Sequence, residues 1–194
     1  MELRIPYIGI VIAFLIGGFL LLHHLDATLP EREGVMIHRP TDLYCLDDIP
    51  KDLRLVFRTE GRIQEPYDYC DLAALCFNES GFDPQAIGGD GEVGVCQVLL
   101  TTYEEVADGD PWKPRNNVRA SAKYLDRQIN HWYADRTSAC RLDLGYVSYR
   151  AGLGTILEAQ LRSGGQACIS DDWELTELST RYYTKIAATK ESWR

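Results

Sequence analysis

The chain has few histidines and an excess of acidic over basic residues. Its four histidines, His23, His24, His38 and His131, lack ligand spacing, so no metal site is expected. Basic residues are outnumbered, 20 Lys and Arg against 29 Asp and Glu, and they are not clustered. A net charge of -9 without a basic stripe argues against nucleic acid as a partner. The glycine-rich segment "GGDGEVG" has no Lys-Ser/Thr after it and no following helix of the kind a phosphate loop needs. No dinucleotide fingerprint occurs either, and no cofactor is expected. There is no internal repeat or low-complexity tract. What remains is a chain of ordinary hydrophobic content, long enough for one domain with a true core plus extensions.

An uncharged run from Ile5 to Leu22, "IPYIGIVIAFLIGGFLLL", is about 18 residues long, near the lower limit for a membrane-spanning helix. No small-residue cleavage pattern follows it, so an uncleaved signal anchor is expected rather than a removed signal peptide. Arg4 and the amino terminus precede the run and acidic residues follow it. The positive-inside tendency then leaves residues 1–4 in the cytoplasm, 5–22 in the inner membrane as a single pass, and the body in the periplasm. Residues 23–64 are polar and turn-rich and read as a linker, partly ordered near "LRLVF". Six cysteines, an even number, fit an exported chain with a disulfide framework. Cys140 and Cys168 bracket a helical hairpin and are expected to pair, as are Cys45 and Cys70. Cys76 and Cys96 read as buried thiols.

From residue 65 onward the pattern is helical. "EPYDYCDLAALCFNESG" has Pro66 near a helix start and Gly81 just past its end, which puts Glu79 in the last turn. "TTYEEVA" reads as a short helix opened by a Thr cap. "NVRASAKYLDRQINHW" places Val118, Ala122, Leu125, Ile129 and Trp132 on one stripe. "LDLGYVSYRAG" and "GTILEAQLRSGG" predict two helices closed by glycine. "SDDWELTELSTRYYTKIAA" predicts a last helix burying Leu175, Leu178, Tyr182 and Ile186. Only Gly88 to Val98 alternates like a strand, enough for a small hairpin. The expected fold class is mainly α, one domain over 65–194 with a small β-hairpin region, preceded by a transmembrane helix.

Two carboxylates stand out. Glu79 follows the apolar segment "LAALCF". A carboxyl drawn out of water resists ionisation, and a carboxylic acid still protonated near neutral pH is what cleavage of a glycosidic bond requires. Glu92, in "GGDGEVG", reads as a turn residue or a charge at the edge of a cleft; as a second carboxylate it would activate water. Asp90 is a weaker candidate for that role.

"ESGFDPQAIG" followed by "GEVGVCQV" resembles the signature of the soluble lytic transglycosylases of the lysozyme-like superfamily, E-S-x-F-x-P-x-A then G-A-x-G-L-M-Q. Glu79, Ser80, Phe82, Pro84 and Ala86 match the first block, and Gly91, Gly94 and Gln97 the second. "SYRAGLG" resembles A-Y-N-A-G-x-G, and "STRYYTKI" resembles E-T-R-x-Y-V. The four blocks stand in order between about Tyr67 and Ala188. Three departures are plain: Val95-Cys96 replaces Leu-Met, Glu92 replaces Ala, and Arg150 replaces Asn, bringing a charge that would lower the pKa of Glu79.

The resemblance implies a lyase of the periplasm or cell wall that acts on peptidoglycan glycan strands with one acid. Glu79 would protonate the oxygen between N-acetylmuramic acid and N-acetylglucosamine, then take the proton of the sugar's 6-hydroxyl as it closes to a 1,6-anhydro product. Ser80 would bond the glutamate or the acetamide, Gln97 and Tyr149 would position sugar and acid, and Tyr183 would close the site from the last helix. Arg150 and Glu92 would stand nearby. Secretion, conjugation or phage machinery are the partners such an enzyme would serve, virion-associated in the last case. Two alternatives stay open: a hydrolytic lysozyme using Glu92 or Asp90, and a silent peptidoglycan-binding module.

Overall fold

The computed structural model describes residues 45–61, 66–132, 136–165, 168–169 and 177–194. The apolar run at 5–22 lies outside them, as do Leu175 and the side chain of Leu178. No helix among the described residues is long and apolar enough to cross a membrane.

Seven helices and one small hairpin make up the described chain: α1 (Lys51–Glu60), α2 (Tyr69–Ser80), β1 (Glu92–Val93), β2 (Val98–Leu99), α3 (Leu100–Val106), α4 (Pro114–His131), α5 (Ser138–Ala151), α6 (Leu153–Arg162) and α7 (Glu177–Ser192). This mainly helical architecture with a two-stranded antiparallel sheet matches the expected class. The hairpin pairs Glu92 with Leu99 and Val93 with Val98.

Helix α2 is the centre of the core. Eight of its residues, Tyr69 to Cys76, are buried in sequence. A helix apolar all round must be enclosed on every side, and α1, α4 and α7 pack about it. Its start is fixed by a reciprocal capping box. Asp68 Oδ1 accepts from the amides of Cys70 (2.8 Å) and Asp71 (2.9 Å), while Asp71 Oδ2 accepts from the amide of Asp68 (3.0 Å). The start is thus Tyr69, three residues beyond Pro66. Asp71 is buried by this arrangement, and Tyr146 donates to its Oδ1 at 2.8 Å while Lys190 of α7 pairs with it.

The stripe on α4 forms as expected, with Val118, Ala122, Leu125, Ile129 and Trp132 all buried against α5 and its neighbours. Trp132 turns instead toward a second apolar cluster with Cys140, Leu144, Val147, Ile156 and Ala159, and its indole N–H donates to Ser148 Oγ at 3.1 Å. Helix α3 begins at Leu100, one residue before the expected Thr cap, and Leu99 at the cap position offers no side-chain bond.

Two sequence expectations are corrected here. The core begins before residue 65: the order expected near "LRLVF" is a full helix, and Cys45, Ile49, Leu53 and Phe57 are buried, with Cys45 bonded to Cys70 as expected. Amphipathic spacing of Leu53 and Phe57, four apart, is what carries α1 into the core. Cys76 and Cys96 are not thiols but a disulfide; the other two bridges, Cys45–Cys70 and Cys140–Cys168, are the expected ones. The pairing was illegible because it joins α2 to the turn before β2, and that approach exists only once the domain has folded.

Candidate active site

Glu79 is in the last turn of α2. Gly81 ends the helix in the left-handed region (φ 66°), and Phe82 follows with φ 69°. Glycine takes that conformation freely, whereas Phe82 is held in it by burial against Phe57 and Phe77. The chain therefore turns sharply away, and the glutamate is left facing a cleft. Glu92, Gln97, Tyr149 and Arg150 line the same cleft, with Val98, Leu99, Thr102 and Tyr124 completing the wall.

Burial pushes the Glu79 carboxyl up to about 7. Three neighbours modify that. Tyr182 donates a hydrogen bond to Glu79 Oε1 and the Arg150 charge acts on it, both pulling the pKa down; the Glu92 charge pushes it up. The net effect of desolvation wins, so the group is poised between acid and base near neutral pH.

Gln97 of the lining belongs to the segment Val95–Gln97, which is anchored from three helices. The Cys76–Cys96 bridge ties it to α2, one turn before Glu79. Ser80 Oγ donates to Val95 O at 2.6 Å. Asn117 of α4, wholly buried, accepts from Cys96 N (2.9 Å) and donates to Val93 O (2.9 Å) and Pro111 O (3.1 Å). Tyr149 Oη donates to Cys96 O at 2.9 Å and lies 3.0 Å from Ser121 Oγ; having one proton, it leaves Ser121 to donate back. Gln97 takes φ 50°, and its Nε2 holds the turn by donating to Ala86 O and Gly94 O, each at 3.1 Å.

Glu92 is a strand residue whose side chain is only 14 % exposed, not a solvated turn residue. Its Oε2 accepts from Asp90 N at 3.0 Å, and its Oε1 lies 3.7 Å from Arg150 Nη1. Gly88 allows this: a Cβ there would stand 2.3 Å from Glu92 Oε2. Arg150 thus meets Glu92 within the cleft.

Two other assignments change. Ser80 does not reach the glutamate but binds the Val95 carbonyl. The last helix sends Tyr182 to Glu79, not Tyr183, which packs against both apolar clusters. Adjacent tyrosines differ by about 100° around a helix, so only one faces the acid. Tyr182 shares its stripe with Ile186 and read as core for that reason; Asn117, near the start of α4, carried no signal distinguishing it from a solvated polar residue. Tyr124, whose ring lies 5.0 Å from that of Tyr149 at a 56° tilt, likewise carries no distinguishing signal in the sequence.

The family model described as "Transglycosylase SLT domain" matches residues 64–170, more than half of the chain. Among curated proteins, the chain is similar to "Membrane-bound lytic murein transglycosylase F" of Alcanivorax borkumensis, 30% identical over 109 residues, covering 56% of this chain and 23% of that protein. The protein of that name from Maricaulis maris is 28% identical over 109 residues, covering 56% and 24%. "Membrane-bound lytic murein transglycosylase F 2" of Alkalilimnicola ehrlichii is 28% identical over 144 residues, covering 71% and 32%. The matched region thus spans between about a quarter and a third of the length of these relatives. With Glu79, Gln97 and Tyr149 of the signature blocks lining one cleft and the family model matching across them, the chain belongs to the transglycosylase SLT domain family.

Proposed function

We propose that this domain is a peptidoglycan lytic transglycosylase that cleaves the β-1,4 bond between N-acetylmuramic acid and N-acetylglucosamine and leaves a 1,6-anhydro end. The observation that carries the reading is the sheltered carboxyl of Glu79, raised to about 7 on the wall of a cleft. As an acid it gives its proton to the glycosidic oxygen while the C1–O bond breaks. As a carboxylate it then accepts the proton of the 6-hydroxyl, whose oxygen bonds to C1. The nucleophile belongs to the substrate, so no second carboxylate has to activate water. The substrate's acetamido group stabilises the cationic stage. Tyr182 orients the carboxyl and stabilises its charged stage by hydrogen bonding. Gln97 and Tyr149 act by holding the Val95–Gln97 segment in place beside the cleft.

Membrane attachment through residues 5–22, with the domain in the periplasm, is part of the same proposal. It is supported by the uncharged run in the sequence, by three disulfides and by the "membrane-bound" names of the relatives. The role would be local opening of the wall.

A hydrolytic reading is favoured by one observation: Glu92 lines the same cleft as Glu79. Its carboxylate is, however, engaged by Asp90 N and Arg150. Mass analysis of fragments released from purified peptidoglycan separates the two. Ends lighter by one water support the transglycosylase; reducing muramic acid ends refute it. Equal inactivity of the wild type and Glu79→Gln would refute both.

A further inference from the structure

Arg150 and Glu92 are the two charges that this chain places where the family signature has uncharged residues, and they meet in one cleft. Their separation, 3.7 Å between Nη1 and Oε1, is beyond a direct hydrogen bond. Glu92 is mostly covered, whereas the Arg150 side chain is 46% exposed. No hydrogen bond runs from the Arg150 side chain to a described residue, while Glu92 already accepts from Asp90 N. The arginine is therefore oriented by Glu92 but not consumed by it. Arg150 lines the cleft, and a guanidinium is a planar fork of N–H donors that can take a carboxylate through two parallel bonds.

The chemistry of the substrate says which carboxylate. The sugar backbone of a murein strand is neutral except at the lactyl ether on O3 of each muramic acid. In intact peptidoglycan that carboxyl is an amide to the stem peptide. Once the peptide is removed it is an anion, borne by the same ring whose anomeric carbon Glu79 acts upon. Arg150 lines the same cleft as Glu79, and its charge acts on the Glu79 carboxyl.

Resting on the glycan-cleaving reading above, we propose that Arg150 is a specificity-determining residue that binds the free lactyl carboxylate of peptide-free muramic acid, so that denuded glycan strands are the preferred substrate. The reaction class that supplies them is hydrolysis of the amide between the lactyl carboxyl and the first amino acid of the stem. Water is consumed, and a carboxylate and an ammonium group are released. A bound substrate anion also neutralises the charge that draws the Glu79 proton away, so the preferred ligand helps keep the acid protonated.

The test uses the full chain carrying Glu79→Gln, which binds without cleaving, in calorimetric titrations. The ligands are muropeptide-derived tetrasaccharides bearing free lactyl carboxylates, lactyl methylamides, or intact stem peptides. The free acid is expected to bind about tenfold more tightly than the methylamide. Adding salt should narrow that ratio. Arg150→Asn, the family residue, should bring it to about one, and Arg150→Lys should retain part of it. Equal binding of acid and methylamide overturns the proposal. So does a preference that survives in Arg150→Asn, or tightest binding of the stem-bearing ligand, which would place the carboxylate on the peptide. Wild-type protein that shows the preference yet releases no anhydro ends from denuded strands would refute the reaction and leave the carboxylate site standing.

Discussion

Replacing Glu79 with glutamine should stabilise the protein, and only above a defined pH. The carboxyl titrates at about 7 in the folded chain, against 4.5 for the free group. A raised folded-state pKa means that the native state holds the proton more tightly than the unfolded one. Its favourable contribution is complete below pH 4.5 and is lost as the pH rises to 7. The difference, 7 - 4.5 = 2.5 units at 1.36 kcal/mol each, is about 3 kcal/mol. Glutamine does not titrate, has nearly the same shape and still accepts the Tyr182 hydrogen bond. The advantage of Glu79→Gln over wild type should therefore grow by about 3 kcal/mol between pH 4.5 and pH 8 and then level off. For a domain of this size that is ~6–12 °C in Tm. The assay is denaturant unfolding of both proteins at several pH values, without reductant so that the three disulfides stay closed. A stability difference constant from pH 4.5 to 8 would show that the carboxyl titrates normally and would refute the argument that burial outweighs Tyr182 and Arg150. Such a gain would also mean that the wild type gives up stability to hold a reactive acid out of water.

The remaining predictions concern the neighbours of that acid. Activity on peptidoglycan should fall as pH rises through about 7, because the protonated form of Glu79 is consumed; a limb near pH 4–5 would contradict the burial. Tyr182→Phe removes a bond that favours the charged form, so this limb should move to higher pH and the rate fall by about tenfold or more, whereas Tyr183→Phe should leave the limb in place; pH–rate profiles of the two variants check it. Asn117→Ala strands buried groups at Val93, Cys96 and Pro111 and should cost about 2–4 kcal/mol in denaturant unfolding, with a loss below about 1 kcal/mol counting against its anchoring role. Replacing both Cys76 and Cys96 by serine opens a closure of 20 residues and should lower stability by about 3 kcal/mol, with activity lost more steeply than stability because the bridge ties the helix that carries Glu79 to the segment that carries Gln97.

Much of this protein was legible in its residues because local rules act over a few positions. Periodicity gave the α4 stripe, since any helix must bury its apolar side. A glycine that tolerates left-handed backbone marked the end of α2, and with it the position of Glu79 in the final turn. The apolar run before Glu79 foretold a carboxyl kept from water, and the ordered blocks of the signature foretold the family. The tertiary structure decided what depends on residues far apart in the chain meeting in space. Whether Tyr182 or Tyr183 reaches the acid is a matter of helix rotation. Whether Ser80 binds the glutamate or a carbonyl, and whether Cys76 finds Cys96, depends on where the hairpin docks. That Glu92 and Arg150, 58 positions apart, come within 3.7 Å of each other in one cleft is set by how the helix and the hairpin that carry them are placed in the folded domain, and spacing along a chain carries no record of such an approach.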